Sequence, residues 1–419
     1  MDYPQKIKLK HPGKPIITTI DLNRSKSISN RVLIIKALCD NHIQISNLSD
    51  SDDSLILKKL LSQKEAKIYD VHHAGTTFRF LCSYLALQSG TQTLTGSSRM
   101  KERPIKALVD ALQYLGADIS YLENEGYPPL KIGDPPSVWK SEVSLPADIS
   151  SQFISSLMMI APVLAEGLKI NLLGELVSKP YLDMTMRIMQ YFGANLQWSG
   201  NTILVEPGGY KARPYSVEAD WSAASYYYSM VAMAPQGSII TLKGLHSNSL
   251  QGDSDIAHMM ETFGIATEFK EDSITIKRIK EAGPLFEYDF IEQPDLAQTV
   301  AVLCAGTGTH GLFSGLKTLR IKETDRISAM KAELAKFGVH LFQVPERFAK
   351  KSAKEYYMLE GTAEPNENAS IDTYKDHRMA MAFAPLALKY PIVINDPGVV
   401  SKSYPLFWEH MQKCGFEIE

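Results

Sequence analysis

Five times along this chain an amphipathic run closes on a bulky residue or cysteine, then glycine, then strand-like residues. The sites are Leu115-Gly116-Ala117, Phe192-Gly193-Ala194, Phe263-Gly264-Ile265, Phe337-Gly338-Val339 and Cys414-Gly415-Phe416. Their glycines fall 77, 71, 74 and 77 residues apart, which is the signature of an internal repeat. Glycine after a helical run is the usual left-handed cap, so each site reads as helix, cap, strand. A second helix type lies between these sites and is apolar nearly all round. It is predicted at Ser27–Cys39, Thr76–Leu87, Ser150–Leu164, Asp220–Ala234, Asp295–Ala305 and His377–Leu388. A helix apolar on every side is a buried one. Each unit is therefore one buried helix, one amphipathic outer helix and the strands between them. The first is degenerate, with Leu55–Gln63 as its outer helix and no capping glycine. Single cores stop growing near ~250–300 residues, so six units over 419 residues predict two α/β domains of three units each. The charged stretch Pro345–Glu355 reads as the least ordered loop.

Composition narrows the function. Apolar residues make up 44% and charged residues 22%, ordinary for a globular chain. No apolar run approaches the ~20 residues of a membrane span, and the Met1–Lys6 start lacks a signal h-region, so a cytoplasmic protein is expected. A net charge of −3 argues against a nucleic-acid partner. Cys39, Cys82, Cys304 and Cys414 are too scattered for a metal site and read as reduced thiols, three of them inside apolar helices. No P-loop or dinucleotide fingerprint is present.

Cations instead gather at predicted helix starts: Arg103-Pro104, Ser178-Lys179-Pro180, Lys322–Asp325 and Ser401–Pro405. Free N–H groups with added Lys or Arg make anion sites. Ser25-Lys26-Ser27-Ile28-Ser29-Asn30-Arg31 opens a buried helix, and Arg31 at the core edge calls for an anionic partner. Ala74-Gly75-Thr76-Thr77-Phe78-Arg79 has the same form, with a glycine that lets a ligand approach the backbone; alone it equally fits a tight turn. Arg99–Pro104 and Ser150-Ser151-Gln152-Phe153 read as either anion sites or ordinary loop and cap. In Arg320–Arg326, a helix would put Lys322 and Arg326 on one face with Glu323 turned about 100° away. A carboxylate beside two cations suits proton shuttling; the alternative is a solvated charge lattice. Arg378 opens an apolar helix, a poor place for an unpaired guanidinium, and Asp295 is either an N-cap or a catalytic carboxylate.

Taken in order and spacing, Ser25–Arg31, Ala74–Arg79, Arg99–Pro104, Ser150–Phe153, Ser178–Tyr181, Arg320–Arg326, Asp376–Met381 and Lys402 resemble the 5-enolpyruvylshikimate-3-phosphate synthase family, from about residue 14 to the C-terminus. The resemblance implies a two-domain inside-out α/β barrel, each domain three βαβαββ repeats around buried central helices. The expected division is residues 1–22 as a strand belonging to the C-terminal domain, 23–220 as the shikimate 3-phosphate side and 221–419 as the phosphoenolpyruvate side. It implies transfer of an enolpyruvyl group from phosphoenolpyruvate to the 5-hydroxyl of shikimate 3-phosphate, in the synthesis of chorismate and aromatic amino acids. Neither cofactor nor metal is expected, and a monomer is. Shikimate 3-phosphate would meet Lys26, Ser27, Arg31, Ser150, Ser151, Gln152, Ser178, Tyr181, Asp295, Thr318 and Lys322. Phosphoenolpyruvate, and the herbicide glyphosate in its place, would meet Lys26, Gly75, Arg103, Gln152, Arg326, Arg378 and Lys402. Catalysis would fall to Asp295, Glu323 and Lys26.

The chain departs from the family pattern at His73 and Thr318, where asparagine is usual, and at Asn23-Arg24, where Pro-Gly is usual. Two other readings are weaker. A sister transferase acting on UDP-N-acetylglucosamine would carry a loop cysteine, and Cys82 lies in an apolar helix. A non-catalytic anion-binding scaffold would not need Asp295 and a Lys-Glu pair together.

Overall fold

All five repeat glycines adopt the left-handed conformation, with φ of 115° at Gly116, 87° at Gly193, 73° at Gly264, 75° at Gly338 and 91° at Gly415. The repeat read from sequence is thus a repeat of left-handed glycine turns, which follow closely on a helix end at four sites. At Gly264 four turn residues separate the glycine from the short helix Ile256–Met259. In the computed structural model, residues 3–39, 43–63, 66–348, 350, 354–367 and 369–419 are described. The loop Pro345–Glu355 lies partly outside them, at Ala349 and Lys351–Ala353.

The chain divides into two compact units, one of Ser25–Val217 and one of Met1–Arg24 with Glu218–Glu419. Each holds three sheets. In Ser25–Val217 the second repeat shows the plan. Strand Ile68–Asp70 leads to the buried helix Gly75–Leu85, then strand Gln92–Thr95, the outer helix Lys106–Leu115 and the hairpin Ile119–Tyr121 with Leu130–Ile132. The first two strands pair in parallel, and the last two add antiparallel on the far side. The same order recurs with Glu142–Pro146, Leu168–Leu173, Leu196–Ser199 and Thr202–Val205. The degenerate first repeat keeps only a two-stranded sheet, Ile45–Ser46 beside Tyr215–Ser216.

The other unit repeats the plan three times, with two strands supplied from the chain start. Ile17–Asp21 pairs in parallel with Ile239–Lys243, and Lys6–Lys10 pairs antiparallel with Ile392–Asn395. Its core is built on three buried helices, Trp221–Met233, Ala297–Thr307 and His377–Phe383. Trp221, Tyr226, Tyr227 and Tyr228 are fully buried in the first of these, where an apolar sequence on every face left no solvent side. Among the described residues no helix is long and apolar enough to cross a membrane. Cys82, Cys304 and Cys414 are buried free thiols and Cys39 is half-buried.

The caps differ in what a side chain would meet. A Cβ on Gly338 has nothing within 4 Å, whereas one on Gly264 runs into the Lys280 carbonyl. Gly338→Ala should cost about 1–2 kcal/mol, the strain of an L-residue in left-handed backbone. Gly264→Ala should cost at least twice that in a urea unfolding titration; equal costs would show that the close approach to Lys280 does not matter.

Candidate active site

In the Ser25–Val217 unit, Ser25 caps the helix Lys26–Leu38 by accepting from the Ile28 amide at 3.4 Å. Capping sets the first turn, so Lys26 and Arg31 leave it one and a half turns apart. Lys26 Nζ lies 3.3 Å from the buried carboxylate of Asp53. Arg31 is 2% exposed and donates to Thr185 Oγ1 (2.7 Å), the Ser27 carbonyl (2.8 Å), the Tyr181 carbonyl (3.3 Å) and Ser155 Oγ (3.4 Å). All four acceptors are neutral; among the described residues no carboxylate answers this guanidinium. Burial pushes it down to about 10, against an ordinary value of 12.5. Among the described residues the anionic partner that sequence called for is therefore absent, and a buried guanidinium of this kind can hold an anion.

Gly75 opens its helix directly beneath two guanidinium groups. A Cβ there would sit 2.8 Å from Arg103 Cζ and 2.9 Å from Arg79 Nη1. Arg79 donates to Gln152 Oε1 at 2.8 Å while Gln152 Nε2 donates to Thr76 Oγ1 at 3.0 Å, which fixes the Gln152 amide. Ser150 caps the helix Ser151–Ile160 by accepting from the Gln152 amide, with Ser151 buried behind it. Ser178 takes φ 55°, an uncommon conformation for serine, at the start of the helix Lys179–Tyr191 that carries Tyr181. Cation-rich helix starts recur here, but Arg103 precedes its helix by three residues and works from the connecting loop.

The second unit gathers carboxylates and cations together. Arg326, 2% exposed, donates Nε to Asp376 Oδ2 at 2.8 Å, Nη1 to Asp295 Oδ1 at 3.0 Å and Nη2 to Glu323 Oε2 at 2.8 Å. Glu323 accepts on its other oxygen from Lys402 Nζ at 2.8 Å. Asp295 Oδ2 accepts from Arg378 Nη2 at 2.9 Å, and Lys322 Nζ stands 3.9 Å from Asp295 Oδ1. Burial alone would push the Asp295 carboxyl up, but Arg378, Lys322 and Arg326 outweigh it and hold it far below the carboxylate range. The same three carboxylates raise Arg326 against the burial that would lower it. Thr318 Oγ1 is buried without a hydrogen-bond partner.

Three expectations change. Lys322 and Arg326 do not share a helical face, because the helix begins at Arg326. Asp325 caps it, accepting from the Ile327 and Ser328 amides at 3.1 and 3.2 Å, and Lys322–Thr324 stay in the turn before it. Glu323 meets Arg326 through that turn. Asp295 is not an N-cap: it is the middle residue of the 3-10 turn Pro294–Leu296, and the cap position of the helix Ala297–Thr307 is Leu296. Likewise Lys402 ends the 3-10 segment Pro397–Lys402 and does not start the helix Phe407–Lys413.

Sequence reading left out Asp53, Asp376, Arg79, Ser222 and Asp253. Asp376 was visible in its motif, but nothing in sequence marked it as the partner of Arg326, fifty residues away. Asp253 is buried and accepts from Ser222 Oγ, which lies 3.4 Å from Arg378 Nη2. Burial, then the charge of Asp295, pushes the Asp253 carboxyl up to about 6.

A repeat α/β chain that sets guanidinium and ammonium groups around paired carboxylates has the make-up of an acid–base enzyme for small anions. It belongs to the EPSP synthase (3-phosphoshikimate 1-carboxyvinyltransferase) family, whose model matches residues 56–411. A relative from Bacteroides fragilis (strain YCH46), named 3-phosphoshikimate 1-carboxyvinyltransferase, is 46% identical over 409 residues, covering 96% of this chain and 97% of its own. One of the same name from Sulfurovum sp. (strain NBC37-1) is 38% identical over 432 residues, covering 96% and 97%. The solved EPSP synthase of Acinetobacter baumannii shares the fold, with a TM-score of 0.77 at 20% identity over 99% of this chain and 100% of that one.

Asp253 yields a pH test. Its native carboxyl holds a proton that the unfolded chain, near 3.8, has already released, so the native state binds more protons between about pH 4 and 6. Stability is therefore lost as pH rises through that window. Asp253→Asn should raise the unfolding free energy at pH 8 by about 2–3 kcal/mol and change it little at pH 4. Equal effects at both pH values would show that Asp253 does not titrate there.

Proposed function

We propose that these residues divide the work of a 3-phosphoshikimate 1-carboxyvinyltransferase in the following way. The reaction is the family's: the enolpyruvyl group of phosphoenolpyruvate passes to the 5-hydroxyl of shikimate 3-phosphate, and phosphate leaves, a step of aromatic amino-acid synthesis. Shikimate 3-phosphate is assigned to Lys26, Ser27, Arg31, Ser150, Ser151, Gln152, Ser178, Tyr181, Asp295, Thr318 and Lys322. Phosphoenolpyruvate is assigned to Lys26, Gly75, Arg103, Gln152, Arg326, Arg378 and Lys402. The domain boundaries proposed are 1–22, 23–220 and 221–419, and the protein is taken to act as a cytoplasmic monomer.

The observation that carries the role assignment is the pair of carboxylates, Asp295 and Glu323, joined through one buried Arg326. Asp295 takes the proton of the 5-hydroxyl as its oxygen attacks C2 of phosphoenolpyruvate. Glu323, which takes up a solvent proton when substrate draws Lys402 away from it, delivers that proton to C3, giving a tetrahedral adduct. The same Glu323 then removes a proton from C3 as the C2–O bond to phosphate breaks, Lys26 stabilises the departing phosphate, and the proton that Asp295 took from the hydroxyl ends on that phosphate. Asp295 bound by three cations is a weak base. A ligand's anionic groups that engage Arg378 and Lys322 weaken that hold, so the base strengthens when substrate is present. Lys402 and Arg326 restrain Glu323 in the same manner.

Glu323→Gln keeps the shape and removes the proton carrier. Turnover should fall by about 10²–10⁴-fold, the usual weight of a general acid–base group. Binding of shikimate 3-phosphate should change little, and deuterium entry into the C3 methyl of the adduct should fall in parallel. Unchanged turnover would remove Glu323 from this role.

Gly75 provides a separate check. A Cβ at this position would collide with Arg103 and Arg79, which already fill the space beside it. Gly75→Ala should displace Arg103, raising KM for phosphoenolpyruvate and weakening inhibition by the longer glyphosate more. Overpacking costs of about 1–3 kcal/mol correspond to a roughly 5- to 150-fold loss of inhibition. Equal losses for substrate and inhibitor would show that Gly75 does not discriminate between the two molecules.

A further inference from the structure

Glu333 is a fully buried carboxylate that none of these steps uses. It lies seven residues after Arg326 in the helix Arg326–Ala335, two turns along the same face, roughly 10 Å away. Its Oε1 accepts from the Tyr374 hydroxyl at 2.7 Å, and its Oε2 from the Asp372 amide at 3.0 Å and from Lys336 Nζ at 2.7 Å. Lys336 also donates to the Ser370 carbonyl at 2.8 Å. With Arg326 on Asp376, one helix therefore grips the segment Ser370–Asp376 at four points along its length.

Between the grips the backbone is strained. Tyr374 and Lys375 take φ of 53° and 56°, two successive non-glycine residues in the left-handed region. Such conformations persist only where surrounding contacts over-determine them. Packing does not supply that force, since the Tyr374 side chain is 40% exposed while its hydroxyl reaches a carboxylate with no exposure at all. The residue that follows the strained pair is Asp376. It holds Arg326 and also accepts from the Arg378 amide at 2.9 Å, so the turn fixes the direction of both cations.

We propose that Tyr374 and Glu333 form a latch that holds this turn, acting as positioning residues for Arg326 and Arg378 and thereby for phosphoenolpyruvate. The inference rests on the assignment of those two arginines to phosphoenolpyruvate. Without the latch the turn relaxes toward ordinary backbone, Asp376 moves, and the two guanidinium groups lose their common alignment. Shikimate 3-phosphate groups assigned to the other unit are unaffected.

The test is steady-state kinetics on the full chain with Tyr374→Phe, which removes one hydroxyl, alongside amide hydrogen exchange at Asp372 and Asp376. KM for phosphoenolpyruvate should rise roughly tenfold, the loss of one hydrogen bond to a charged group. KM for shikimate 3-phosphate, most of whose assigned residues lie in the other unit, should rise several-fold less than that for phosphoenolpyruvate, and exchange at both amides should quicken. Glu333→Gln, which keeps one acceptor, should raise the phosphoenolpyruvate KM less than Glu333→Leu. Unchanged exchange would overturn the latch. Faster exchange with an unmoved phosphoenolpyruvate KM would refute its service to the arginines. A parallel rise in both KM values that tracks a lower melting temperature would reduce it to a structural prop.

Discussion

The buried guanidinium of Arg326 is the interaction on which the carboxylate-bearing half of the site depends. Its Nε and two Nη nitrogens are divided among Asp376, Asp295 and Glu323, each at 3.0 Å or less. A planar fork with fixed directions can hold three carboxylates in one relative orientation, which a lysine's single ammonium cannot. Three acids buried so close together would repel one another without it, and removing one partner of such a group typically costs about 3–5 kcal/mol. The arrangement is a resting one, with acids and cations neutralising each other. In the proposed mechanism an anionic substrate competes for Arg378, Lys322 and Lys402, and the same competition frees Asp295 and Glu323 for proton transfer. Binding and activation of the base are then one event.

The other unit solves a different problem. Arg31 sits in the core edge with four neutral acceptors and a cation–π contact, 5.5 Å from the Phe80 ring. Hydroxyls and carbonyls satisfy its N–H groups without cancelling its charge. That is the arrangement expected where the counter-charge arrives with a ligand. Both units use one fold device: a buried helix whose first turn is capped by a short side chain such as Ser25, Ser150 or Asp376, so that the next residues are fixed in direction.

The repeat was legible because its determinants are local. A glycine after a helix and an apolar run on every face need only neighbours in sequence, and all five glycines take the cap conformation. The six buried helices likewise fall within a few residues of where apolar runs placed them. Charges were legible as clusters and not as pairs. Lys322–Arg326 read as one helix since charge spacing favoured it, whereas Asp325 captured the first free amides and started the helix at Arg326. Asp376 carried no role in sequence, though it heads a recognisable motif, and Asp253 carried no signal, because their meaning lies in partners that only the fold brings close: Arg326 for one, Ser222 for the other. The strained Tyr374-Lys375 turn has no sequence signature at all, as neither residue favours left-handed backbone.

In the proposed function this cation-and-carboxylate cluster serves transfer of enolpyruvyl to shikimate 3-phosphate. Phosphate release measured with each candidate acceptor tests it most directly. With phosphoenolpyruvate and shikimate 3-phosphate together, phosphate should appear in equal amount to the enolpyruvyl product, and with either substrate alone it should not. No release with both present, or release with UDP-N-acetylglucosamine as acceptor in place of shikimate 3-phosphate, would contradict it.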